Sequence, residues 1–310
     1  MCVLFLSRVL GGVATSLLFT CFETWMIRKH SSCELGADVL SNTFSLYTFL
    51  NSLMAIGAGL FAQRLVAVIP SGSWNDIFQY GGELAPFGAA IVICILCYVN
   101  IMCLWDEFPD QAPKQHTCAP LDLGQTLSDK RLLLLGSVIT LFESAMYLFI
   151  ASWVPTLMEA TPSTESLDLG TIFSVFMAAS MLGSQCVNLA EGVGLHPLTM
   201  SMATAAVCHA TAAILTHDIL VVFWSFVGFE LAVGMYFPAM GKLKASLVED
   251  EHRSVIYSIL RTPLNLLVPL LLMLNLGNRA RLVATTTMLV IGTLLTFSLL
   301  KANAKRIKIV

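Results

Sequence analysis

Nine stretches of this chain are each long and apolar enough to cross a lipid bilayer, and they follow one another with little between them. They run over about 2–27, 41–66, 84–105, 131–157, 168–190, 197–216, 218–241, 254–276 and 282–300. A bilayer core takes about 20 mostly apolar residues per helix. With 56% hydrophobic residues, 12% charged residues and a mean hydropathy of +0.78 over 310 residues, no water-soluble surface can be built. Lipid is therefore the solvent for most of the chain, and the expected fold is an all-α, polytopic membrane protein with about nine transmembrane helices.

An odd number of crossings places the two termini on opposite sides, so orientation is open to the rule that Lys and Arg concentrate in cytoplasmic segments. With the C-terminal tail inside, the inner segments hold Arg28, Lys29, Lys114, Lys130, Arg131, Lys242, Lys244, Arg253, Lys301, Lys305, Arg306 and Lys308, twelve of the seventeen basic residues. The outer edges hold three, Arg64, Arg279 and Arg281, while Arg8 and Arg261 lie inside spans. This bias predicts a cytoplasmic C-terminus and an outer loop at 67–83, which is rich in Gly and Ser. The first span is not a signal peptide: no basic stretch precedes it, Arg8 interrupts its apolar run and no small-residue cleavage site follows. It reads as a true helix whose upstream partners are absent, so the chain is expected to be N-terminally incomplete.

Loops are short except for the polar segment 106–130, with prolines at 109, 113 and 120, which reads as a cytoplasmic linker. Three spans precede it and six follow. The expected organisation is a partial N-terminal bundle of three helices (1–105), the linker (106–130), and a C-terminal six-helix bundle with a basic tail (131–310), as in a transporter of two six-helix halves whose first half lacks three helices. Prolines punctuate the spans: Pro155 is expected to end the fourth near its outer edge, Pro238 to lie near the inner end of the seventh, and Pro263 and Pro269 to break the eighth. Such breaks mark either a substrate path or a bend with no transport role.

Several classes of chemistry find no support. None of the nine cysteines falls in an outer loop, so a disulfide framework is not expected, and the Cys94–Cys97 pair within an apolar helix reads as packing residues. The segment Glu249-Asp250-Glu251-His252-Arg253 is a cytoplasmic loop and not a metal-binding HExxH. There is no phosphate-binding Gly-rich loop, so nucleotide-driven transport is not indicated, and no catalytic constellation points to an enzyme. No cofactor is expected, and no bound metal. The basic tail fixes topology and touches anionic membrane lipid; nucleic acid is not an expected partner.

What chemistry there is lies in a few ionisable residues within spans: Arg8, Glu23, Glu143, Glu230 and Arg261, with His209. A charge at a helix centre costs roughly 2.5–3.5 kcal/mol on insertion scales, so it faces a partner or a wet cavity. Glu143, Glu230 and Arg261 fall at similar depth, within roughly ten ångströms at 1.5 Å rise per residue, and are expected to cluster around a cavity; a purely structural salt bridge is the alternative. Arg8, before Gly11-Gly12, is either a structural cation or a substrate contact. Glu23, five residues before Arg28, reads as half of an interfacial gate pair. His209, on a span expected to face lipid, reads as a packing or interfacial residue.

Longer motifs resemble a known family. Ser7-Arg8-Val9-Leu10-Gly11-Gly12-Val13-Ala14-Thr15-Ser16-Leu17-Leu18-Phe19, continuing to Phe22-Glu23-Thr24-Trp25-Met26-Ile27, resembles the fourth helix of the molybdate-anion transporters of the major facilitator superfamily. Phe44 to Gly59 resembles the next helix, and Leu127-Ser128-Asp129-Lys130-Arg131 with Leu141-Phe142-Glu143-Ser144 the opening of the second bundle. Phe176 to Ser184, Glu230-Leu231-Ala232 with Gly234 to Pro238, and Leu260-Arg261-Thr262-Pro263-Leu264 match later helices. The resemblance implies a multi-pass protein, expected in the plasma membrane, that takes up molybdate or a similar oxyanion by alternating access. Arg261 and Arg8 would attract the dianion, with Glu143 and Glu230 balancing charge or carrying a coupling proton. Nothing corresponds to the family's first three helices or to its cytoplasmic Gly/Asp/Arg loop motif. The alternatives are therefore a truncated, non-transporting membrane protein, or a major facilitator carrier for another small anion or nutrient.

Overall fold

Two helices show most plainly why the chain folds as it does. On one, Val222, Phe226, Phe229, Val233, Tyr236, Met240 and Leu243 recur at alternating spacings of four and three residues, and all are buried. On the other, Leu135, Val138, Phe142, Ala145, Phe149 and Ser152 do the same, with Ile139 buried beside them. A repeat near 3.5 residues keeps one stripe of a helix facing its neighbours. These stripes form the core of a computed structural model that describes residues 3, 5–7, 9–14, 17, 25, 26, 29, 33, 37–75, 78–105, 129–161, 167–192, 194–248, 253–274 and 276–307.

The elements are α1 (Ala37–Val68), a hairpin of β1 (Gly72–Asn75) and β2 (Phe78–Tyr80), a 3₁₀ turn (Gly82–Leu84), α2 (Ala85–Leu104), α3 (Lys130–Ala160), α4 (Leu169–Gly192), α5 (Pro197–Ile214), α6 (Ile219–Leu247), α7 (Arg253–Met273) and α8 (Asn278–Ile307). Among the described residues, seven helices are long and apolar enough to cross a membrane: Leu50–Val68, Gly82–Leu104, Lys130–Ala160, Leu169–Val187, Pro197–Ile214, Ile219–Lys244 and Asn278–Asn303. The protein is thus an all-α, multi-pass membrane protein. The expected eighth span corresponds to α7, whose uninterrupted apolar part, Ile259–Met273, is shorter. Half of the first, 2–27, and nearly all of the linker, 106–130, fall outside the described residues; within the first, 5–7 and 9–14 are helical and mostly apolar.

The chain forms two compact units. One comprises 1–51 and 86–116, the other 52–85 and 117–310. In the first, the Trp25 and Trp105 rings stack with centroids 3.8 Å apart. In the second, α6 packs against α4 and α5, and α8 against α3 and α5, while α7 lies along α3. Aromatic rings fill the middle: Phe149 meets Phe226 edge-on at 5.0 Å and Phe229 at 4.7 Å, and Phe142 stacks on Tyr236 at 3.8 Å. Small residues let backbones approach closely where the helices cross, as membrane interfaces favour. A Cβ added at Gly183 would meet the Leu231 backbone, and one at Gly234 the Ser180 backbone. The second half of α1 docks on α4 in the same way: Gly59 and Gly170 face one another, Ser174 Oγ donates to Ile56 O at 2.9 Å, and Gln63 bridges Asp168 Oδ1 (2.9 Å) and the Gly170 N–H (3.0 Å).

Several expectations are corrected. Pro155 does not end α3, which runs five residues further, and Pro263 and Pro269 do not break α7, which is continuous through both; Pro238 lies in the last third of α6. Proline removes one backbone donor, but hydroxyls and neighbouring helices compensate in an apolar setting; Ser152 and Thr156, on either side of Pro155, donate to Leu148 O and Ser152 O at 2.7 Å. The 67–83 loop holds an antiparallel hairpin, Gly72 pairing with Tyr80 and Ser73 with Gln79. Gly81 closes it at φ +74°, where any Cβ would strike Pro70 O. Cys94 and Cys97 are exposed on α2 and pack in no core among the described residues. His209 does serve as a packing residue, but it does not face lipid: it is buried between α5 and α8, sharing a 2.6 Å hydrogen bond with Thr285 Oγ1 beneath the Phe229 ring. On α8, Thr286, Thr287, Thr293, Thr296 and Ser298 all donate to carbonyls four residues back on their own helix.

Candidate functional site

One carboxylate organises the ionisable residues of the second unit. Glu143 follows Phe142 on the buried stripe of α3, and its side chain is 3% exposed. Arg261 of α7 brings Nη2 to 3.2 Å from Oε2. The other oxygen, Oε1, accepts from Tyr236 Oη of α6 at 3.5 Å and has Lys244 Nζ, also from α6, at 4.0 Å. Tyr236 is held by stacking on Phe142, the residue before Glu143. Lys244 is steadied from its far side by the Tyr257 ring, 5.5 Å from Nζ to centroid, a favourable cation–π arrangement.

The members of this cluster differ in access. Tyr236 is fully buried and Lys244 is 19% exposed, but Arg261 is half exposed. Its guanidinium offers five donors in a planar fork, of which one reaches Glu143. A buried ion pair in low dielectric holds its partners strongly, and removing one strands the other. Two cations against one carboxylate leave an excess of one basic side chain at this point of the bundle. An anion approaching the open side of Arg261 meets that excess.

Of the residues expected from sequence, Glu143 and Arg261 come together. Glu230 does not join them. It is buried on α6, six residues before Tyr236 and so about 9 Å along the helix axis, and has no hydrogen bond or ion pair among the described residues. Arg8, Glu23 and the Glu249–His252 segment lie outside the described residues. Lys244 and Tyr236 are the additions. Lys244 counts, by sequence, as an inner-edge residue beyond a span ending at 241; α6 instead continues to Leu247 and carries it against Glu143. The available signal was the unbroken repeat Tyr236, Met240, Leu243, which runs past Gly241-Lys242. Thr140 and Ser144, buried on α3 near Glu143, have hydroxyls with no partner among the described residues. No cluster of three or more His, Cys, Asp or Glu able to hold a metal ion occurs among the described residues.

Comparison with known proteins supplies the context. A family model described as sugar transporters with 12 transmembrane segments, within the major facilitator superfamily, matches residues 1–235. The chain is 32% identical over 287 residues to the molybdate-anion transporter of Xenopus laevis, covering 86% of this chain and 58% of that protein. It is 31% identical to the protein of the same name from Xenopus tropicalis, with the same coverage, and 31% identical over 299 residues to that of Takifugu rubripes, covering 59% of it. The chain therefore spans less than two thirds of the length of these relatives. With the model matched over most of its length and with apolar helices arranged as described, the chain belongs to this transporter family of the major facilitator superfamily.

Proposed function

We propose that this chain acts as a secondary active transporter, mediating uptake of molybdate or a similar oxyanion by alternating access, and that Arg261 is its principal anion contact. The observation that carries the reading is the Arg261 guanidinium, half open and anchored 3.2 Å from buried Glu143 within a membrane-embedded bundle. A tetrahedral oxyanion needs several convergent donors, and a guanidinium supplies planar, bidentate hydrogen bonding that an ammonium does not reproduce. The names of the relatives support molybdate as the anion. In this reading 1–105 is a partial N-terminal bundle, 106–130 a linker and 131–310 the C-terminal bundle; the protein works in the plasma membrane as a carrier and not an enzyme. Arg8, Glu23 and Glu230 are proposed as further contacts or coupling groups.

The test is tracer molybdate uptake in cells lacking their own carrier, with surface expression measured in parallel and the N-terminal part of a relative co-expressed where the chain alone is silent. Arg261→Lys should weaken uptake severalfold despite keeping the charge, and Arg261→Ala should nearly abolish it. Wild-type uptake by Arg261→Ala at equal expression refutes the assignment. Rescue of Arg261→Ala by Glu143→Gln recasts Arg261 as structural. A second reading, transport of a neutral nutrient, draws on the family description as sugar transporters; hexose uptake that survives Arg261→Ala would favour it. Absence of any uptake favours a non-transporting membrane protein.

A further inference from the structure

Every oxygen of Glu143 is already committed to a donor that an incoming anion would want. Oε2 faces Arg261 Nη2 at 3.2 Å, and Oε1 faces Tyr236 Oη at 3.5 Å and Lys244 Nζ at 4.0 Å. The carboxylate thus stands, inside the protein, where a bound oxyanion would draw its hydrogen bonds. The two cations come from different helices, α6 and α7, and the single anion between them comes from α3. Charge counting follows directly. With Glu143 ionised the cluster carries one net positive charge, enough to neutralise a monoanion. With Glu143 protonated it carries two, matching a dianion.

Resting on the anion-carrier reading above, we infer that the cluster selects doubly charged oxyanions by exchanging an internal anion for an external one: a proton taken up by Glu143 releases Arg261 and Lys244 together, and Lys244 sets the preference for two charges over one. The surroundings of Glu143 permit this exchange. From α6 the groups facing it are Tyr236 and Lys244; from α7 the group is Arg261, with Tyr257 on the far side of Lys244. The third helix packed against α3 is α8, which meets it where Gly292 faces Leu141 and brings no ion pair to Glu143 among the described residues. No other carboxylate pairs with the two cations among the described residues. A protonated Glu143 keeps Tyr236 Oη as a neighbour, so its neutral form is not left without a hydrogen-bond partner. The open half of Arg261 gives the anion its approach, and the partial exposure of Lys244 lets it turn from Glu143 toward the ligand.

The experiment measures equilibrium binding of tracer molybdate to the purified full chain in lipid nanodiscs between about pH 6 and pH 8, with sulfate and perchlorate as competing dianion and monoanion. Wild type should bind molybdate more tightly as pH falls, by at most the tenfold per unit of one linked proton, and should take up protons as the dianion binds in weakly buffered solution. Glu143→Gln should bind tightly with no pH slope. Lys244→Gln should lose at least tenfold in affinity for molybdate and sulfate at every pH, whereas perchlorate, which wild type binds with no linked proton, should lose less at the acid end and now bind with the proton-linked slope; Lys244→Arg should retain dianion preference. A wild-type protein that binds molybdate with no pH slope and no proton uptake overturns the inference and leaves the carrier reading standing, whether or not Glu143→Gln folds. An unchanged slope in a folded Glu143→Gln, or equal loss of dianion and monoanion binding in Lys244→Gln, overturns it too. A folded wild type that binds no oxyanion at any pH refutes the anion-carrier reading itself, and this inference with it.

Discussion

One methyl group added at Gly234 should loosen the bundle, while the same methyl seven residues later on the same helix should tighten it. At Gly234 a Cβ would collide with the Ser180 carbonyl, its carbon only 2.6 Å away; at Gly183 the Leu231 carbonyl carbon would be 2.8 Å away. Real Cβ atoms essentially never come within 3.0 Å of a heavy atom, and here the obstacle is backbone, which has no rotamer to retreat into. The helices α4 and α6 must therefore part by a fraction of an ångström along their whole crossing. Overpacking of this kind costs typically about 1–3 kcal/mol. The higher helix propensity of Ala returns roughly 0.5–1 kcal/mol. At Gly241 nothing lies within 4 Å of the added atom, so only the gain remains. Gly234→Ala should thus fall below Gly241→Ala by about 1–3 kcal/mol, and Gly183→Ala should behave like Gly234→Ala. Reversible unfolding of the full chain in mixed micelles by added sodium dodecyl sulfate, followed by tryptophan fluorescence, measures the difference. Combining the two crossing mutations should cost less than their sum, because the first already separates the helices. If Gly234→Ala proves as stable as Gly241→Ala, the close crossing of α4 and α6 is wrong.

Three further expectations are open to simple measurement. Gln63→Leu removes both links from α1 to the start of α4 and leaves the Gly170 N–H unpaired, which should cost about 1–2 kcal/mol in the same unfolding assay; no loss would show the bridge to be idle. Asp129 caps α3 by accepting from the Arg131 N–H at 2.8 Å, and the side-chain hydrogen bond from Arg131 holds its carboxyl below the ordinary carboxylate range. Because the folded-state value is lowered, its contribution is whole above about pH 4 and fades as pH falls through that lowered value. Asp129→Ala should cost about 0.5–2 kcal/mol at neutral pH, and the gap to wild type should close only in strong acid; a gap already closed at pH 6 would contradict this. Finally, Ser73→Cys in the hairpin should react with an impermeant thiol reagent on intact cells, as the inward bias of basic residues requires. Labelling only after permeabilisation would invert the topology.

How far the sequence could be read depended on what each residue needed from its neighbours. The stripe from Val222 to Leu243 is visible as a repeat, since packing a helix against others requires one buried face whatever those others are. The pairing of Glu143 with Arg261 was legible because opposite charges in apolar runs have few affordable alternatives. Glu230 was grouped with them on depth alone, and depth does not fix the direction a side chain takes around its helix. Lys244 was missed for a related reason: a hydropathy profile ends a span at the first lysines, whereas the helix continues as long as its buried face does. The prolines were over-read as breaks. A missing backbone donor matters less in lipid-embedded helices with hydroxyls and packed neighbours than it does in water.

The self-satisfied hydroxyls of α8 have a mechanical consequence. Thr286, Thr287, Thr293, Thr296 and Ser298 spend their donors on their own helix. Among the described residues, the polar side-chain links from α8 to other helices are Asn278 to Glu159 at 2.7 Å and Thr285 to His209 at 2.6 Å, both in its first eight residues. Among the described side chains from Thr286 to Asn303, the helix is held to its neighbours by shape alone. Such a helix resembles a rod clamped at one end and resting in a groove along the rest. Sideways displacement of the stretch from Thr286 to Asn303 breaks no described hydrogen bond to another helix, so the resistance it meets is graded and small near contact, whereas sliding along its axis must first break the clamp.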